Sequence, residues 1–312
     1  MVGKEYAITT YNIGFGAYNH DFSFFMDQGK MLSGEKVKGK LSKATSKEIV
    51  LTNTRGAIEE ITAFNPDFAF FQEVDTNSTR SFQVNQFKML QESLAKMASV
   101  HVSNFHSAYL FYPILDPHGV VNSGIATFSK YKIDKVIRKS LEITDAFPSK
   151  FFDLDRCFSA SYLKTNHDNY LVIVNVHLSA YDKGGVYRKK QLQQLNSFLE
   201  VEYQKGNYVV CGGDFNHDIA NSMYVFETKQ EKPEWVYALN NDDLNENFSF
   251  ATNNNIPTCR STDMPYEKNV NYTVVLDGFI VSKNVDVIMV ENVDTNFEYS
   301  DHNPVYMKFV LK

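Results

Sequence analysis

Cysteine is scarce in this chain of 312 residues: there are three, at positions 157, 211 and 259, and none sits in a Cys-x-x-Cys pair. That is too few for a disulfide framework, and the spacing suits neither zinc nor thiol redox chemistry, so Cys157, Cys211 and Cys259 read as free thiols. Long apolar runs are missing as well. No stretch approaches the roughly 18 uninterrupted apolar residues of a membrane-spanning helix, and the N-terminus, MVGKEYAITTYNIGFG, has no basic segment followed by an apolar one. On that reading the protein is cytoplasmic, or exported or surface-anchored if an N-terminal segment has been removed. Positive charge is not in excess: 31 Lys and Arg face 37 Asp and Glu, a net charge of −6. Such a balance lacks the general basic field of a non-specific nucleic-acid binder, although a local basic patch or bound metal ions can still attract phosphate. With 43% hydrophobic and 22% charged residues, the chain is neither disordered nor collagen-like.

What is present is a series of short apolar runs of strand length: 7–13, 68–71, 124–129, 171–176, 208–213, 274–281 and 305–311. Between them lie helical patterns. Residues 46–64 put Val50, Ala57, Ile58, Ile61 and Phe64 on one face behind a Thr45-x-x-Glu48 capping box. Phe87, Leu90, Leu94 and Met97 repeat in the same way, and a third helix is predicted from about Tyr187 to Gln204, burying Leu192, Leu195 and Leu199. Strands dominate without clean βαβ alternation, which favours sheet-on-sheet packing with helices outside over a doubly wound parallel sheet. No repeat or linker divides the chain, so residues 1–312 read as a single domain. Two long loops are expected, at about 14–45 and 240–272, in positions suited to lids or specificity loops.

Polar residues able to act as ligands stand where the apolar runs end. Asn12 closes the first, Gln72 and Glu73 the second and His177 the fourth; Asp214 and Asn216 follow YVVCGG, and Ser300-Asp301-His302 precedes the last. Alone, an Asn after a strand is ordinarily a turn former, a Glu there is ordinarily solvated, and a single His is ordinarily a satisfied core or surface residue. Shared on one rim of a sheet, these segments would make an active site. GGDFN carries most information, because two glycines ahead of Asp214 permit a sharp turn and the two-residue spacing aims Asp214 and Asn216 the same way. GFGAYN after the first strand lacks the third glycine of a dinucleotide fingerprint, with Asn19 in its place, and there is no P-loop.

In these residues the chain resembles the endonuclease/exonuclease/phosphatase superfamily of deoxyribonucleases, AP endonucleases, bacterial sphingomyelinases and inositol-polyphosphate 5-phosphatases. The matching segments are TYNIG, FFQEVD, NSGIATFSKY, NVHLS, GGDFNHD, LDGFIVS and SDHNPV, in family order from residue 10 to 306. The resemblance implies a four-layered α/β/β/α sandwich, two packed mostly antiparallel sheets flanked by helices, and metal-dependent hydrolysis of phosphate esters. It implies that Asp214 polarises a water that Asn216 positions, that Asn12, Glu73 and Asp301 hold the metal, and that His302, oriented by Asp277, contacts the phosphoryl group. His177 would donate to a phosphate oxygen or to the leaving group. Hard oxygen donors without cysteine suit Mg²⁺ or Mn²⁺. AP endonucleases carry Tyr where NVHL has His177, so the resemblance is to the deoxyribonuclease, sphingomyelinase and phosphatase branches.

The expected function is therefore a divalent-metal-dependent hydrolase of phosphate esters, with nucleic acid, phospholipid or a small phosphate ester as substrate. A non-catalytic phosphoester-binding module is the alternative, against which stands the retention of Glu73, His177, Asp214, Asn216, Asp277 and His302. Lys183, Arg188, Lys189 and Lys190 follow HLSAYD and are candidates for steering phosphate, as is Arg260 in its polar loop; a solvated helix face is the plainer reading of the first group. Trp235 is slender support for the exposed aromatic hairpin of a sphingomyelinase-like phospholipid esterase. Nothing signals a protein partner, and a monomer is expected.

Overall fold

The computed structural model describes residues 2–143, 155–180 and 186–312. Twelve strands carry the architecture: β1 (Glu5–Asn12), β2 (Phe68–Asp75), β3 (Ala98–Leu110), β4 (Gly119–Ser129), β5 (Lys135–Ser140) and β6 (Cys157–Lys164) in the first half. The second half supplies β7 (Tyr170–His177), β8 (Tyr208–Asp214), β9 (Phe248–Ala251), β10 (Asp277–Ser282), β11 (Val285–Asn292) and β12 (Val305–Leu311). They form two six-stranded sheets ordered β11-β12-β1-β2-β4-β3 and β9-β10-β8-β7-β6-β5. In each sheet only the middle pair is parallel, β1 with β2 and β7 with β8. Every other neighbouring pair is antiparallel. Parallel neighbours need a crossover, and helices α1 (Lys47–Ala63) and α3 (Val186–Gln204) lie in those two connections. Between β2 and β3 runs the shorter α2 (Gln86–Ser93).

The two-residue period of the strands sorts side chains into three apolar layers. Ile8, Phe68 and Phe70 of one sheet meet Ile173, Val210 and Phe279 of the other in a shared core. Their alternates Tyr11, Ala69 and Phe71 face Ala57, Ile58 and Ile61 of α1 and Leu90 of α2. On the opposite side Val172, Val174, Val209 and Cys211 pack on Leu192, Leu195 and Leu199 of α3, each leucine contributing about 1.5–3 kcal/mol by burial. The layers are thus helix, sheet, sheet, helix, as the sequence implies.

Local corrections follow from side-chain detail. Helix α1 is capped one residue later than the expected box, by Ser46, whose Oγ accepts from Ile49 N at 3.2 Å. Residues 14–45 are not an open loop: Phe15, Tyr18, Phe22, Phe24 and Phe25 bury one another in a separate aromatic cluster, and Gln28–Lys30 pairs with Lys36–Lys38 as a small hairpin. Within 240–272, Phe248–Ala251 is a sheet strand and Cys259–Arg260 pairs with Thr273–Val274. Cys157, Cys211 and Cys259 are free and buried, as expected. No helix among the described residues is long and apolar enough to cross a membrane.

Candidate active site

The two parallel middle pairs explain why the site lies where it does, because parallel neighbours end together. At the end of β7 and β8, His177 stands opposite Asp214. Strand β10 runs the other way and starts at the same level, with Asp277 opposite Asp214. In the facing sheet Asn12 pairs with Gln72 at the ends of β1 and β2, and β12 begins beside them, so Asp301 and His302 enter from the same rim. A β-bulge in β2 lies between Phe71 and Val74, where Glu73 adopts a positive φ of 54°. Bulges re-aim side chains: Glu73 lines the cleft, while Gln72 donates to Asn175 Oδ1 at 2.8 Å between the sheets. Gln72 is thus a structural bridge and not a ligand.

The glycines of GGDFN act by letting chains approach, not by making a turn. Gly213 has φ +145°, and a Cβ there would stand 2.0 Å from Val176 O of the neighbouring strand. Asp214 is consequently still in β8, and the chain turns at Asn216, whose φ is 50°. Gly14 plays a similar part beneath Asp301: its φ is +50°, and a Cβ would meet Asp301 Oδ1 at 3.0 Å.

His177, Asp214, Asn216, Glu73, Asp301 and His302 line one cleft. One carboxylate oxygen is its hub. Asp214 Oδ2 accepts from Asn12 Nδ2 at 3.0 Å and lies 3.5 Å from His177 Nε2 and 3.7 Å from His302 Nε2. Asp214 Oδ1 accepts from the Asn216 backbone N–H at 2.8 Å, and Asn216 Nδ2 donates to Leu178 O at 2.8 Å. Behind His302, Asp277 Oδ2 accepts from Nδ1 at 2.8 Å.

Charge separates these groups into distinct states. Burial pushes Asp214 up to about 7, with the neighbouring Asp277 adding to the rise against His302 and the hydrogen bonds from Asn216 and Asn12. For His302 burial opposes the charge, but Asp277, Cys259 and Asp214 outweigh it and hold the ring well above the ordinary histidine range. His177 goes the other way: burial first, then Arg156, His302 and Arg80, keep it neutral. One imidazolium, one neutral imidazole and one carboxylate poised near neutrality meet within 4 Å of a single oxygen.

Glu73 and Asp301 form the hard-donor side of the cleft. Burial raises both, and the Asp301 charge raises Glu73 further while Arg80 lowers it. Crowded, half-buried carboxylates of this kind are relieved by a cation, and the oxygen donors fit Mg²⁺ or Mn²⁺. Cys259, the cysteine in the cleft lining, is pushed up to about 12 by burial and is a thiol in the metal-free cleft. Asn12, expected as a metal ligand, has its Oδ1 accepting from Gly14 N at 3.0 Å and its NH₂ facing Asp214 and Glu73. In this rotamer it braces the carboxylates, and ligation through oxygen requires the amide to turn. Asp214, Asp277 and His302 also place one ligand atom each within 4.8 Å of one another, but a protonated His302 already supplies the cation there.

A sequence profile described as the Endonuclease/Exonuclease/phosphatase family matches residues 9–302. The chain belongs to this family. An inositol phosphosphingolipids phospholipase C from Schizosaccharomyces pombe is 24% identical over 245 residues, covering 69% of this chain and 58% of the relative, so the match spans little more than half of that protein. Among solved structures, an endonuclease/exonuclease/phosphatase from Beutenbergia cavernae superposes with TM-score 0.61 at 15% identity, covering 99% of this chain and 72% of that one. Truncated Caenorhabditis elegans TDP2 gives 0.58 at 15% identity, covering 99% and 98% of the two chains. The human Nocturnin catalytic domain gives 0.59 at 17% identity, covering 100% and 95%. These superpositions establish a shared fold.

Two expected contacts of this family member are revised. Arg188 is no steering cation: it is fully buried, its Nη1 donates to Asn216 O at 3.2 Å and Trp235 O at 2.8 Å, and its guanidinium lies over Tyr237. It is a strut behind the Asn216 turn. Arg260 does line the cleft but is 2% exposed, donating to Asn19 O at 3.1 Å and Ser261 O at 3.3 Å. Lys190 pairs with Glu142 on the surface, and Lys183 lies outside the described residues. Trp235 is half-buried in a small apolar cluster and supplies no exposed hairpin. Sequence reading missed Arg80, Arg156 and His118 in the cleft wall. Arg80 makes two bonds to Asp75, at 3.0 and 2.9 Å, and stacks on Phe15. Asp75 closing FFQEVD was the one available signal for it.

Proposed function

We propose that the protein hydrolyses phosphodiesters by attack of water on phosphorus, assisted by Mg²⁺ or Mn²⁺ held by Glu73 and Asp301. The observation that carries this reading is the convergence of His177 and His302 on Oδ2 of Asp214, at 3.5 and 3.7 Å, with Asp277 bonded behind His302 at 2.8 Å. Asp214, poised near neutrality, accepts the proton of the attacking water, whose backbone-side approach Asn216 frames. The His302 imidazolium, fixed by Asp277, donates to a phosphoryl oxygen as negative charge gathers there. Neutral His177 offers an N–H to the phosphate or to the departing oxygen. When bound, the metal neutralises charge on the phosphoryl group. Water's oxygen bonds to phosphorus, the ester P–O bond breaks, and the leaving oxygen gains a proton.

Among diesters, phospholipid is the class we favour, on the strength of the sequence likeness to a sphingolipid phospholipase C. The test is hydrolysis of a soluble chromogenic diester and the matching monoester with Mg²⁺, with Mn²⁺ and with chelator. Metal-dependent diester cleavage that disappears in Asp214→Ala is the expected result. Preference for the monoester would replace the reading by a phosphatase, and silence on both, together with silence on phospholipid vesicles, would favour a binding module.

A further inference from the structure

The hairpin joining β3 to β4 ends in an apolar tip that nothing among the described residues covers. Phe111, Ile114 and Leu115 are 75%, 85% and 99% exposed, and Tyr109 and Tyr112 in the same segment are 45% and 49% exposed. No other segment among the described residues gathers five large apolar side chains in water. A monomer pays for such a patch with hydration free energy, so a contiguous one marks an interaction surface.

The base of the hairpin, by contrast, is firmly tied. Ser42 Oγ donates to Asp116 O at 2.7 Å, Lys43 pairs with Asp116 at 2.6 Å, and Val120 N donates to Thr79 Oγ1 at 3.0 Å. The Phe25 and Tyr112 rings lie 5.5 Å apart, centre to centre. Asn104, Phe105 and His118, from the two arms of the hairpin, line the catalytic cleft. The tip therefore stands on the wall of the cleft, held at its root and bare at its end. The segment clamped to that root, KVKGKLSK, brings Lys36, Lys38 and Lys40 to the surface, all exposed.

We propose that this hairpin is a membrane-docking device: Phe111, Ile114 and Leu115 enter the interfacial region of a lipid bilayer while Lys36, Lys38 and Lys40 meet anionic headgroups. The chemistry favours lipid over a protein partner. Three largely bared aliphatic and aromatic side chains, with two half-exposed tyrosines interspersed, suit a membrane interface, where apolar groups enter and amphipathic rings stay at the boundary. The neighbouring lysines add the attraction to an anionic surface. A tip of this size falls short of the roughly 800 Å² per partner of a stable protein interface. The inference deepens the phosphodiesterase reading, and rests on it for the cleft's part: the hairpin would bring the cleft to headgroups lying in a surface.

The experiment is vesicle co-sedimentation of the full chain with phosphatidylcholine alone or mixed with phosphatidylserine, beside soluble-diester hydrolysis. The triple variant Phe111→Ser, Ile114→Ser, Leu115→Ser is expected to lose at least about 100-fold in partitioning. Its soluble-diester rate and melting temperature stay at wild-type values, because the altered side chains are exposed. Lys38→Gln with Lys40→Gln is expected to cost roughly 5-fold per lysine on anionic vesicles and nothing on neutral ones. Wild-type protein that fails to bind either vesicle, or a triple variant that binds like wild type, overturns the proposal. So does a wild-type dimer in sedimentation that the triple variant disperses, since the tip would then hold a second copy. Tip-dependent vesicle binding without any diester hydrolysis would sink the catalytic reading and leave the docking surface standing.

Discussion

Replacing Asp277 by Asn tests whether the His302 imidazolium acts in the reaction. The change keeps the shape of the side chain and removes its charge. Asp277 is fully buried and His302 is 5% exposed, so water screens neither. The bond lost is charge-assisted, Nδ1 to Oδ2 at 2.8 Å, and such bonds are worth about 1.5–3 kcal/mol. If that energy is realised at the transition state, kcat/KM for a soluble diester falls by roughly 10- to 150-fold. The pH dependence moves in a fixed direction. Burial lowers the His302 pKa, and Asp277 is the foremost of the charges that raise it. Activity that needs the imidazolium is complete at low pH and lost as pH rises through the His302 pKa, so the variant loses it at lower pH than wild type. The deficit therefore deepens toward alkaline pH. Measuring kcat/KM across neutrality with saturating Mn²⁺ gives both quantities. A loss under about 3-fold with an unchanged alkaline limb would refute the role given to this pair.

Asp214→Asn should abolish most activity, and wild-type activity should fall as pH drops through about 7, where the Asp214 carboxylate takes up its proton. Because the Asp214 pKa is raised on folding, its charge destabilises the metal-free fold as pH rises through that value, so in chelator above pH 7 the Asn variant should melt higher than wild type. His118 is held neutral, with Nδ1–H donating to Ser42 O and Nε2 facing Arg80 at 3.4 Å, and its pKa is lowered to about 3 by burial and by Arg80. The unfolded chain binds that proton first, so stability should fall by about 1.4 kcal/mol per pH unit below roughly 6.5. Urea unfolding of His118→Gln should show a shallower pH slope; an identical slope would count against it. Asn175→Leu leaves Gln72 and the Ala126 carbonyl without their bonds of 2.8 and 2.9 Å between the sheets, and about 2–5 kcal/mol of stability should go with them. Arg188→Met should lower kcat through the Asn216 turn without altering the salt dependence of kcat/KM; an altered salt dependence would restore a steering role.

The legibility of the fold in the sequence followed burial. Apolar runs announced the strands that are covered on both faces, β1, β2, β7, β8, β10 and β12 among them, because both alternating sets of side chains are apolar there. Four of the five unannounced strands, β3, β5, β9 and β11, are the sheet edges. KVIRKS in β5 and VDVIMVEN in β11 put charge on the open side, which protects an edge from pairing and erases the run that would reveal it. The site was legible for a related reason. Residues at the ends of the parallel middle pairs must be polar to face a cleft, and they directly follow the most apolar segments, so the transition is abrupt at Asn12, Glu73, His177 and Asp214.

Side-chain direction carries no such mark. Arg188 and Arg80 look alike as letters, yet one braces the Asn216 turn from behind and the other lies in the cleft wall, a difference set by which face of α3 packs inward and where Asp75 ends β2. The same limit applies to LFYPIL at the β3–β4 turn. Its apolar residues match those of a buried run, and composition assigns them no side. Only the register of the hairpin does so: with β3 and β4 paired as far as Leu110 and Gly119, residues 111–118 project beyond the last pair of the sheet. His118 and Tyr112 turn back onto the cleft wall and Phe25, while Phe111, Ile114 and Leu115 find no core to join, and their exposure follows from topology. A segment that hydrophobicity would place inside is placed outside by pairing, and that mismatch is what gives a surface its use.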